Sequence, residues 1–294
     1  MSNFQRPFLK WAGNKYQVLP EIWKLLPQKG NRFIEPFAGS GSVFLNVTLD
    51  VTKNYSSCAI GDSNPDLMEL YKLVKTDGAA FIRRCRIIFN GDGKTIPSGN
   101  DRTQYEHLRD VFNGKKIDPV LTALNIGRSE IFVYLNRHCF NGLCRYNSKG
   151  GFNVPFGRYK GPNVPEDDIL LFHKQIQNVH FTAGDYTTLL ATLNPTDGDV
   201  IYLDPPYVPL SATASFTDYS NDGGFPMAKQ KELALLAEKY AAAGAVVLIS
   251  NHDTPASREL YKNANDIHAF GVTRFISAAG KSRNKAPELI AVFK

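Results

Sequence analysis

The tetrapeptide DPPY at 204–207 follows directly on the apolar run DVIYL, and its residue types suit chemistry on an amino group. Neither proline has a backbone N–H to continue a strand, so the strand must end there. We expect the Asp204 carboxylate and a neighbouring carbonyl, that of Pro205, to converge on one point. Two converging acceptors match an exocyclic amino group, which offers two N–H donors. Tyr207 offers a flat surface for a planar base, a stacking interaction worth roughly 1–3 kcal/mol.

The chemistry indicated by this motif is methyl transfer to nitrogen. The amino nitrogen of adenine or cytosine is a poor nucleophile, because its lone pair is delocalised into the ring. Acceptors on both N–H groups, with Pro206 keeping the backbone rigid, place negative potential where the nitrogen becomes positive. A methyl group on a sulfonium could then transfer in one displacement, assisted by orientation. We therefore expect neither a metal site nor a covalent enzyme intermediate.

A second pattern indicates a nucleoside-bearing cofactor. Gly39 and Gly41, in EPFAGSG at 35–41, predict a tight strand-to-helix turn. The third glycine of the dinucleotide fingerprint is replaced by Phe44. Asp62 ends the next apolar run, where an acid can accept ribose hydroxyls. The alternative for Asp62 is an N-cap of the following helix.

The N-terminal stretch FLKWAGNK at 8–15 allows two interpretations. It is either a capping segment whose tryptophan fills a groove, or a ligand-binding segment. In the second case Lys10 and Lys15 meet phosphates or a cofactor carboxylate, and Trp11 faces a sulfonium or an adenine.

Strand and helix patterns alternate around these motifs. Strands are predicted at 31–37, 56–62, 180–185, 199–204, 245–251, 266–275 and in the last run, 287–294, with helices between most of them. This order predicts an α/β fold, with a parallel sheet and helices on both faces. Ligands in such folds bind beyond the carboxyl ends of the strands, where the three motifs fall.

The middle of the chain departs from this alternation and predicts an inserted domain over 78–165. The segment 131–165 contains five basic residues and no Asp or Glu, with aromatic residues and glycines interspersed. Together with a net charge of +6, this pattern favours contact with nucleic acid. The catalytic domain would then comprise 1–77 and 166–294.

The remaining composition is that of a soluble cytoplasmic protein. The four cysteines have no metal-ligand spacing, and we expect reduced thiols. No apolar run approaches membrane-spanning length and the N-terminus has no apolar signal region, so we expect neither membrane insertion nor export.

Seven stretches, in this order along the chain, resemble the Dam-type DNA adenine N6-methyltransferases of the D12 class: FLKWAGNK, FIEPFAGSGSVFLN, GDSN, YLNRHCFNGLCRYN, FNVPFGRYKGP, DPPYVPLSATASFTDY and LISNHDT. The resemblance implies a Rossmann-like methyltransferase sheet that uses S-adenosyl-L-methionine. It implies double-stranded DNA containing GATC as substrate, a flipped target adenine, and a prokaryotic or phage-encoded protein that acts as a monomer.

The resemblance also assigns roles by position. The catalytic residues would be those of the DPPY motif: Asp204, Pro205, Pro206 and Tyr207. The cofactor-binding residues would be Trp11, Lys15, Glu35, Phe37, Gly39, Gly41, Asp62, Asp185 and Asp204.

In the recognition segment, Arg145 would read a guanine, a contact worth roughly 1–3 kcal/mol of discrimination. Phe140 stands where Dam proteins usually have a tyrosine, and would be the wedge that fills the stack during base extrusion. The other implied DNA contacts are outer-base-pair Lys10, Asn141, thymine-contacting Leu143 and Pro155, and phosphate-binding Asn147 and Arg158. The alternative for Phe140 and Leu143 is packing in the core of the insertion.

Two loops carry further expectations. Residues 210–225 are long for a strand-to-helix link, and we expect them to close over the flipped base. The basic loop 277–287 would either lie near the DNA backbone or be an ordinary hairpin tip.

Other functions remain open from the residues alone. The DPPY chemistry also suits a methyltransferase acting on N4 of cytosine or on RNA. An NAD-dependent oxidoreductase is disfavoured by the missing third glycine. A DNA-binding module without catalysis is disfavoured by the intact DPPY.

Overall fold

The computed structural model describes residues 4–92, 96, 101–210, 225–273 and 285–294. Most of the expected lid, 210–225, and most of the basic loop, 277–287, lie outside these residues. The fold is a seven-stranded sheet in the order β3-β2-β1-β4-β5-β7-β6. The strands are β1 Lys29–Glu35, β2 Asn54–Asp62, β3 Val179–Ala183, β4 Val200–Leu203, β5 Val246–His252, β6 Asp266–Thr273 and β7 Lys285–Phe293.

The predicted α/β class is confirmed, with one difference in strand direction. Strands β3, β2, β1, β4 and β5 pair in parallel, whereas β7 runs antiparallel to both β5 and β6. Among the elements that the structure describes, no crossover helix stands between β6 and β7. An antiparallel pair needs no such crossover.

Ten α-helices are present among the described residues: α1 Leu19–Leu25, α2 Ser42–Leu49, α3 Pro65–Asn90, α4 Arg102–Phe112, α5 Pro119–Ala123, α6 Arg128–His138, α7 Glu166–Gln175, α8 Tyr186–Leu193, α9 Met227–Ala242 and α10 Pro255–Leu260. Short 3₁₀ helices cover Lys15–Val18 and Phe140–Gly142.

Side chains that alternate along β1 enter two separate cores. Phe33 is fully buried in the core shared with α2, α3 and α7, whereas Ile34 is fully buried in the core shared with α8, α9 and α10. A parallel sheet covered by helices on both faces has this pattern. The sheet is therefore a rigid platform for the loops at its carboxyl edge.

The segment predicted as an insertion is built mainly from α4, α5, α6 and two short antiparallel pairings, Cys139 with Phe156 and Tyr146 with Phe152. Helix α3 leads into it and is kinked at Asp77, where φ is −153° and ψ is 83°. The hydrophobic core that contains Phe33 continues into the insertion. The division at 78 and 165 stays a prediction.

Candidate active site

Four polar motifs meet at the carboxyl edge of the sheet. The DPPY motif follows β4, the glycine turn follows β1, Asp62 ends β2, and Asp185 lies just beyond β3. These strands are neighbours in the order β4-β1-β2-β3. The sheet therefore brings together the residues that the sequence analysis placed at strand ends.

The glycine turn has the left-handed geometry that its glycines allow. Gly39 and Gly41 have φ values of +49° and +82°. A Cβ on Gly41 would lie 2.6 Å from the Phe44 ring, so this phenylalanine closes the turn from the core side. Buried Glu35 accepts a hydrogen bond from the Phe44 N–H at 2.9 Å, and burial raises its pKa well above the ordinary value. Glu35 thus stabilises the start of α2.

Trp11 lies over this turn. A Cβ on Gly39 would stand 2.9 Å from the indole nitrogen of Trp11, so the residue at 39 must be small for the ring to lie there. The structure brings Trp11 to the predicted cofactor turn and leaves its ring partly exposed.

The Asp62 carboxylate accepts hydrogen bonds from two backbone N–H groups and does not cap a helix. Its Oδ2 accepts from the Gly39 N–H and its Oδ1 from the Asn64 N–H, both at 2.9 Å. The N-cap of α3 is Asn64, whose side chain accepts from the Leu67 N–H at 3.2 Å. Burial raises the pKa of Asp62, and the two backbone hydrogen bonds oppose that rise. The N-cap alternative for Asp62 was therefore wrong. The two backbone N–H groups fix its carboxylate, whose remaining lone pairs can accept further hydrogen bonds.

Asp185 and Phe37 border the same edge. Asp185 caps α8 by accepting from the Thr187 N–H at 2.9 Å, and Lys229 lies 3.4 Å from its carboxylate. The Phe37 ring packs against Tyr186 with centroids 5.1 Å apart. Phe37 is partly exposed, so part of its ring is accessible at this edge.

Asp204 is the most unusual carboxylate of the site. Its Oδ2 forms an ion pair with Lys15 Nζ at 2.8 Å, and the two side chains are only 15% and 11% exposed. Its Oδ1 is buried and has no hydrogen-bond partner within the described ranges. Such an atom normally has a partner, because desolvating an acceptor without one is costly. Burial raises the pKa of Asp204 to about 6, with Lys15 opposing and Glu288 adding to the rise.

Lys15 joins the N-terminal segment to the DPPY motif. Its ammonium also donates to the Gly13 carbonyl at 2.7 Å and lies 4.7 Å from the centre of the Tyr207 ring. The sequence analysis assigned Lys15 to the cofactor, whereas the structure places it directly on the Asp204 carboxylate.

A buried amide network, which sequence reasoning missed, fixes the DPPY backbone. The Pro206 carbonyl accepts from Gln230 Nε2 at 2.7 Å, and the Val208 N–H donates to Asn251 Oδ1 at 2.9 Å. Asn251 in turn donates to Gln230 at 3.2 Å. Because the Pro206 carbonyl has this partner, the Pro205 carbonyl is the better candidate for the second acceptor. The sequence indicated this network only in that Asn251 lies in the LISNHDT stretch, which resembles the family.

Tyr207 is half buried. Its hydroxyl donates to Glu288 Oε2 at 3.3 Å, and its ring meets the His252 ring edge-on at 4.9 Å. The ring orientation is therefore fixed by residues of β5 and β7.

The predicted DNA-reading residues lie on the two antiparallel pairings of the insertion. Phe140 is 51% exposed, so the core-packing alternative is wrong for this residue, whereas Leu143 packs partly against the core. Arg145 Nε donates to Asn153 Oδ1 at 2.8 Å. Asn141, Asn147, Pro155 and Arg158 are all exposed. Both Asn141 and Arg158 have a φ of +54°.

Further residues in this region were not found from sequence. Buried Asn136 bonds the backbone N–H and carbonyl of Lys10 at 3.0 and 2.8 Å. Gly142, with φ +63°, packs so tightly that an added Cβ would lie 2.3 Å from Lys10 Cβ. Lys10 Nζ lies 4.1 Å from the centre of the Tyr159 ring. These contacts hold Lys10 against the short 3₁₀ helix Phe140–Gly142.

Residues 4–92, 96, 101–210, 225–273 and 285–294 contain no cluster of three or more His, Cys, Asp or Glu side chains that could hold a metal ion. No helix in these same ranges is long and apolar enough to cross a membrane.

Comparison with known proteins identifies relatives over nearly the whole chain. The sequence model of the D12 class N6 adenine-specific DNA methyltransferases matches residues 11–274. The DNA adenine methylase of Escherichia coli K12 is 43% identical over 98% of this chain and 95% of its own. Those of Vibrio cholerae O1 and Serratia marcescens are each 42% identical over 98% of this chain, and over 96% and 98% of their own lengths. A solved rRNA methyltransferase from Streptomyces viridochromogenes aligns at 13% identity over 94% of this chain and 83% of its own, with a TM-score of 0.38, too low to support an argument.

Proposed function

Because the chain belongs to the D12 class of N6 adenine-specific DNA methyltransferases, and is thus an enzyme that methylates adenine in DNA, we propose the details of its reaction. It transfers the methyl group of S-adenosyl-L-methionine to N6 of the adenine in double-stranded GATC, after flipping that adenine out of the helix. The membership disfavours the alternatives of cytosine N4, RNA, hydride transfer and binding without catalysis.

The observation that carries the proposal is the state of Asp204. One carboxylate oxygen is paired with Lys15, and the other is buried with no partner among the described residues. An adenine amino group supplies the missing donor. Its second N–H would meet the Pro205 carbonyl, and its ring would stack on Tyr207. The two acceptors favour a tetrahedral nitrogen and stabilise the positive charge that develops on it.

Lys15 keeps Asp204 ionised for this task. Without a neighbouring cation, burial would favour the neutral carboxylic acid. A protonated Asp204 would be a weaker acceptor and would carry no negative charge toward N6. The ion pair on Oδ2 leaves Oδ1 oriented for the substrate.

The residues at the other strand ends fit the cofactor. Asp62 has a carboxylate fixed by two backbone N–H groups, with lone pairs left for two ribose hydroxyls. Trp11, Phe37 and Asp185 would border its base, and the turn at Gly39 and Gly41 allows close approach to the backbone. When bound, S-adenosyl-L-methionine supplies a methyl group made electrophilic by a sulfonium.

The insertion would recognise the DNA. Chemistry at N6 requires extrusion of the base, because that nitrogen is paired and stacked in the duplex. The exposed Phe140 ring fills the gap, and Arg145 reads a guanine. Lys10, Asn141, Leu143, Asn147, Pro155 and Arg158 surround these two residues in the proposal. Relatives named as bacterial DNA adenine methylases support action in a bacterial or phage-infected cytoplasm, where we propose a monomer.

The experiment is incubation with methyl-labelled S-adenosyl-L-methionine and mixed-sequence duplex DNA, followed by digestion to nucleosides and mapping of modified sites. The expected product is N6-methyl-2′-deoxyadenosine confined to GATC. Asp204→Ala should abolish labelling while the fold and DNA binding are mostly retained. Label in other sequences would overturn the GATC assignment, and undiminished turnover in Asp204→Ala would overturn the catalytic one.

A further inference from the structure

The residues on both sides of Arg145 are anchored on the start of helix α3. Cys144 Sγ accepts from Asn64 Nδ2 at 3.6 Å, and the Tyr146 hydroxyl donates to Asp66 Oδ2 at 2.8 Å. The thiol contact is weak, whereas the hydroxyl–carboxylate bond is charge-assisted and strong. The residues immediately before and after Arg145 are therefore both held by the start of α3.

The same short stretch carries the predicted cofactor acid. Asp62 accepts from the Asn64 N–H at 2.9 Å and from the Gly39 N–H at 2.9 Å. Asn64 also caps α3 by accepting from the Leu67 N–H. One turn of chain, residues 62–66, therefore contacts the glycine turn at one end and the recognition segment at the other.

Asp66 is a well-supported anchor. Arg128 of α6 donates to its two carboxylate oxygens at 2.5 and 2.9 Å, and the Asp66 side chain is only 12% exposed. The Tyr146 ring packs edge-on against Phe152 at 5.9 Å. Arg145 itself is held from the opposite strand by Asn153 at 2.8 Å. A carboxylate with three donors and little exposure keeps its position, and so does the tyrosine bound to it.

We infer that Tyr146 and Asp66 are positioning residues for base recognition, and that they link sequence discrimination to cofactor occupancy at Asp62. This rests on the proposed function, in which Arg145 reads a guanine and Asp62 holds the cofactor. Linkage is reciprocal: if bound cofactor improves discrimination between DNA sequences, cognate DNA improves cofactor affinity by the same factor.

The test uses Tyr146→Phe, which keeps the ring and removes only the hydroxyl. Binding to a GATC duplex and to a duplex with the guanine pair replaced is measured by fluorescence anisotropy, with and without S-adenosylhomocysteine, so that no turnover occurs. The variant should lose about 3- to 10-fold in discrimination, the scale of one typical intramolecular hydrogen bond. In the unmodified protein we expect S-adenosylhomocysteine to increase discrimination, and in the variant this increase should be smaller. Affinity for the altered duplex should not change.

The matched control is Tyr105→Phe. Its hydroxyl donates to the Val154 carbonyl at 2.7 Å in the same insertion, and makes no contact with residues 62–66. Arg109 also donates to that carbonyl, at 3.3 Å, so the acceptor keeps a partner. This variant should discriminate between the duplexes as the unmodified protein does.

Several results separate the inference from its rivals. Asp66→Ala should lower discrimination at least as much as Tyr146→Phe, because it also removes the ion pair with Arg128. The double variant should lose no more than Asp66→Ala alone, because both substitutions remove the same Tyr146–Asp66 contact. Equal loss of affinity for both duplexes in Tyr146→Phe, or behaviour like Tyr105→Phe, would overturn the positioning role. An unmodified protein that gains no discrimination from S-adenosylhomocysteine would overturn the linkage. If Arg145→Ala does not relax the base preference, Arg145 does not read the guanine and the proposed function is wrong on this point. If Arg145→Ala relaxes the base preference but Tyr146→Phe has no effect, only the positioning role of Tyr146 and Asp66 is refuted.

Discussion

Replacing Lys15 by Met should move the pH dependence of methylation, because Lys15 is the cation paired with the Asp204 carboxylate at 2.8 Å. The pKa of Asp204 is about 6 with Lys15 present. The ionised carboxylate is the active form, so turnover should fall as the pH drops through about 6. Methionine keeps the length of the chain and removes the charge.

The size of the shift follows from the lost cation. A neighbouring opposite charge lowers the pKa of a carboxyl by about 1–3 units, so its loss should raise the Asp204 pKa to roughly 8. At pH 7 a group of pKa about 6 is about nine-tenths ionised, and one of pKa about 8 is about one-tenth ionised. Turnover at pH 7 should therefore drop about 10-fold and recover above pH 9.

The assay is single-turnover methylation of a GATC duplex at saturating cofactor, from pH 5 to pH 9.5. Lys15→Arg, which keeps the charge, should retain an acid limb near that of the unmodified enzyme. A uniform loss for Lys15→Met at every pH, with the limb unmoved, would refute the reasoning and return Lys15 to cofactor binding alone.

Substitutions at three more positions test the recognition segment. Arg145→Ala should reduce discrimination at one base pair by roughly 5- to 150-fold, measured as the ratio of kcat/KM values for cognate and altered duplexes; a loss shared by all sequences would make it a phosphate contact. Phe140→Ala should weaken extrusion, seen as a smaller fluorescence rise from 2-aminopurine at the target position, and Phe140→Tyr should restore it; an unchanged rise would exclude the wedge role. Gly142→Ala should lower the free energy of unfolding by more than about 1 kcal/mol in thermal or urea unfolding, because its φ is +63° and the new Cβ would contact Lys10; unaltered stability would contradict the packing described.

Local patterns sufficed for the sheet and for the edge on which the site lies. The strands ending at Glu35, Asp62 and Leu203 are marked by apolar runs followed by turn residues, and these signals depend only on near neighbours. The direction of β7 was not predicted, because pairing with β5 is a long-range choice that its own apolar pattern leaves open.

The contacts that give the site its chemistry could not be predicted from the sequence. Lys15 and Asp204 lie far apart along the chain, and the resemblance assigned both to the cofactor without indicating that they pair. Gln230 looks like an ordinary polar residue of α9, yet it is buried against the Pro206 carbonyl. The N-cap role offered as the alternative for Asp62 belongs to Asn64, because Asp and Asn are both good caps and only the helix start distinguishes them.

Oδ1 of Asp204, buried and without a partner in the described part of the chain, is the atom that we propose receives the amino group of an extruded adenine. The most direct measurement is a crystal structure with a GATC duplex and the non-reactive analogue sinefungin. The expected result is adenine N6 within hydrogen-bonding distance of Asp204 Oδ1 and the Pro205 carbonyl, with the ring over Tyr207. An extruded adenine whose N6 contacts other groups, with Asp204 Oδ1 still unpaired, would contradict it.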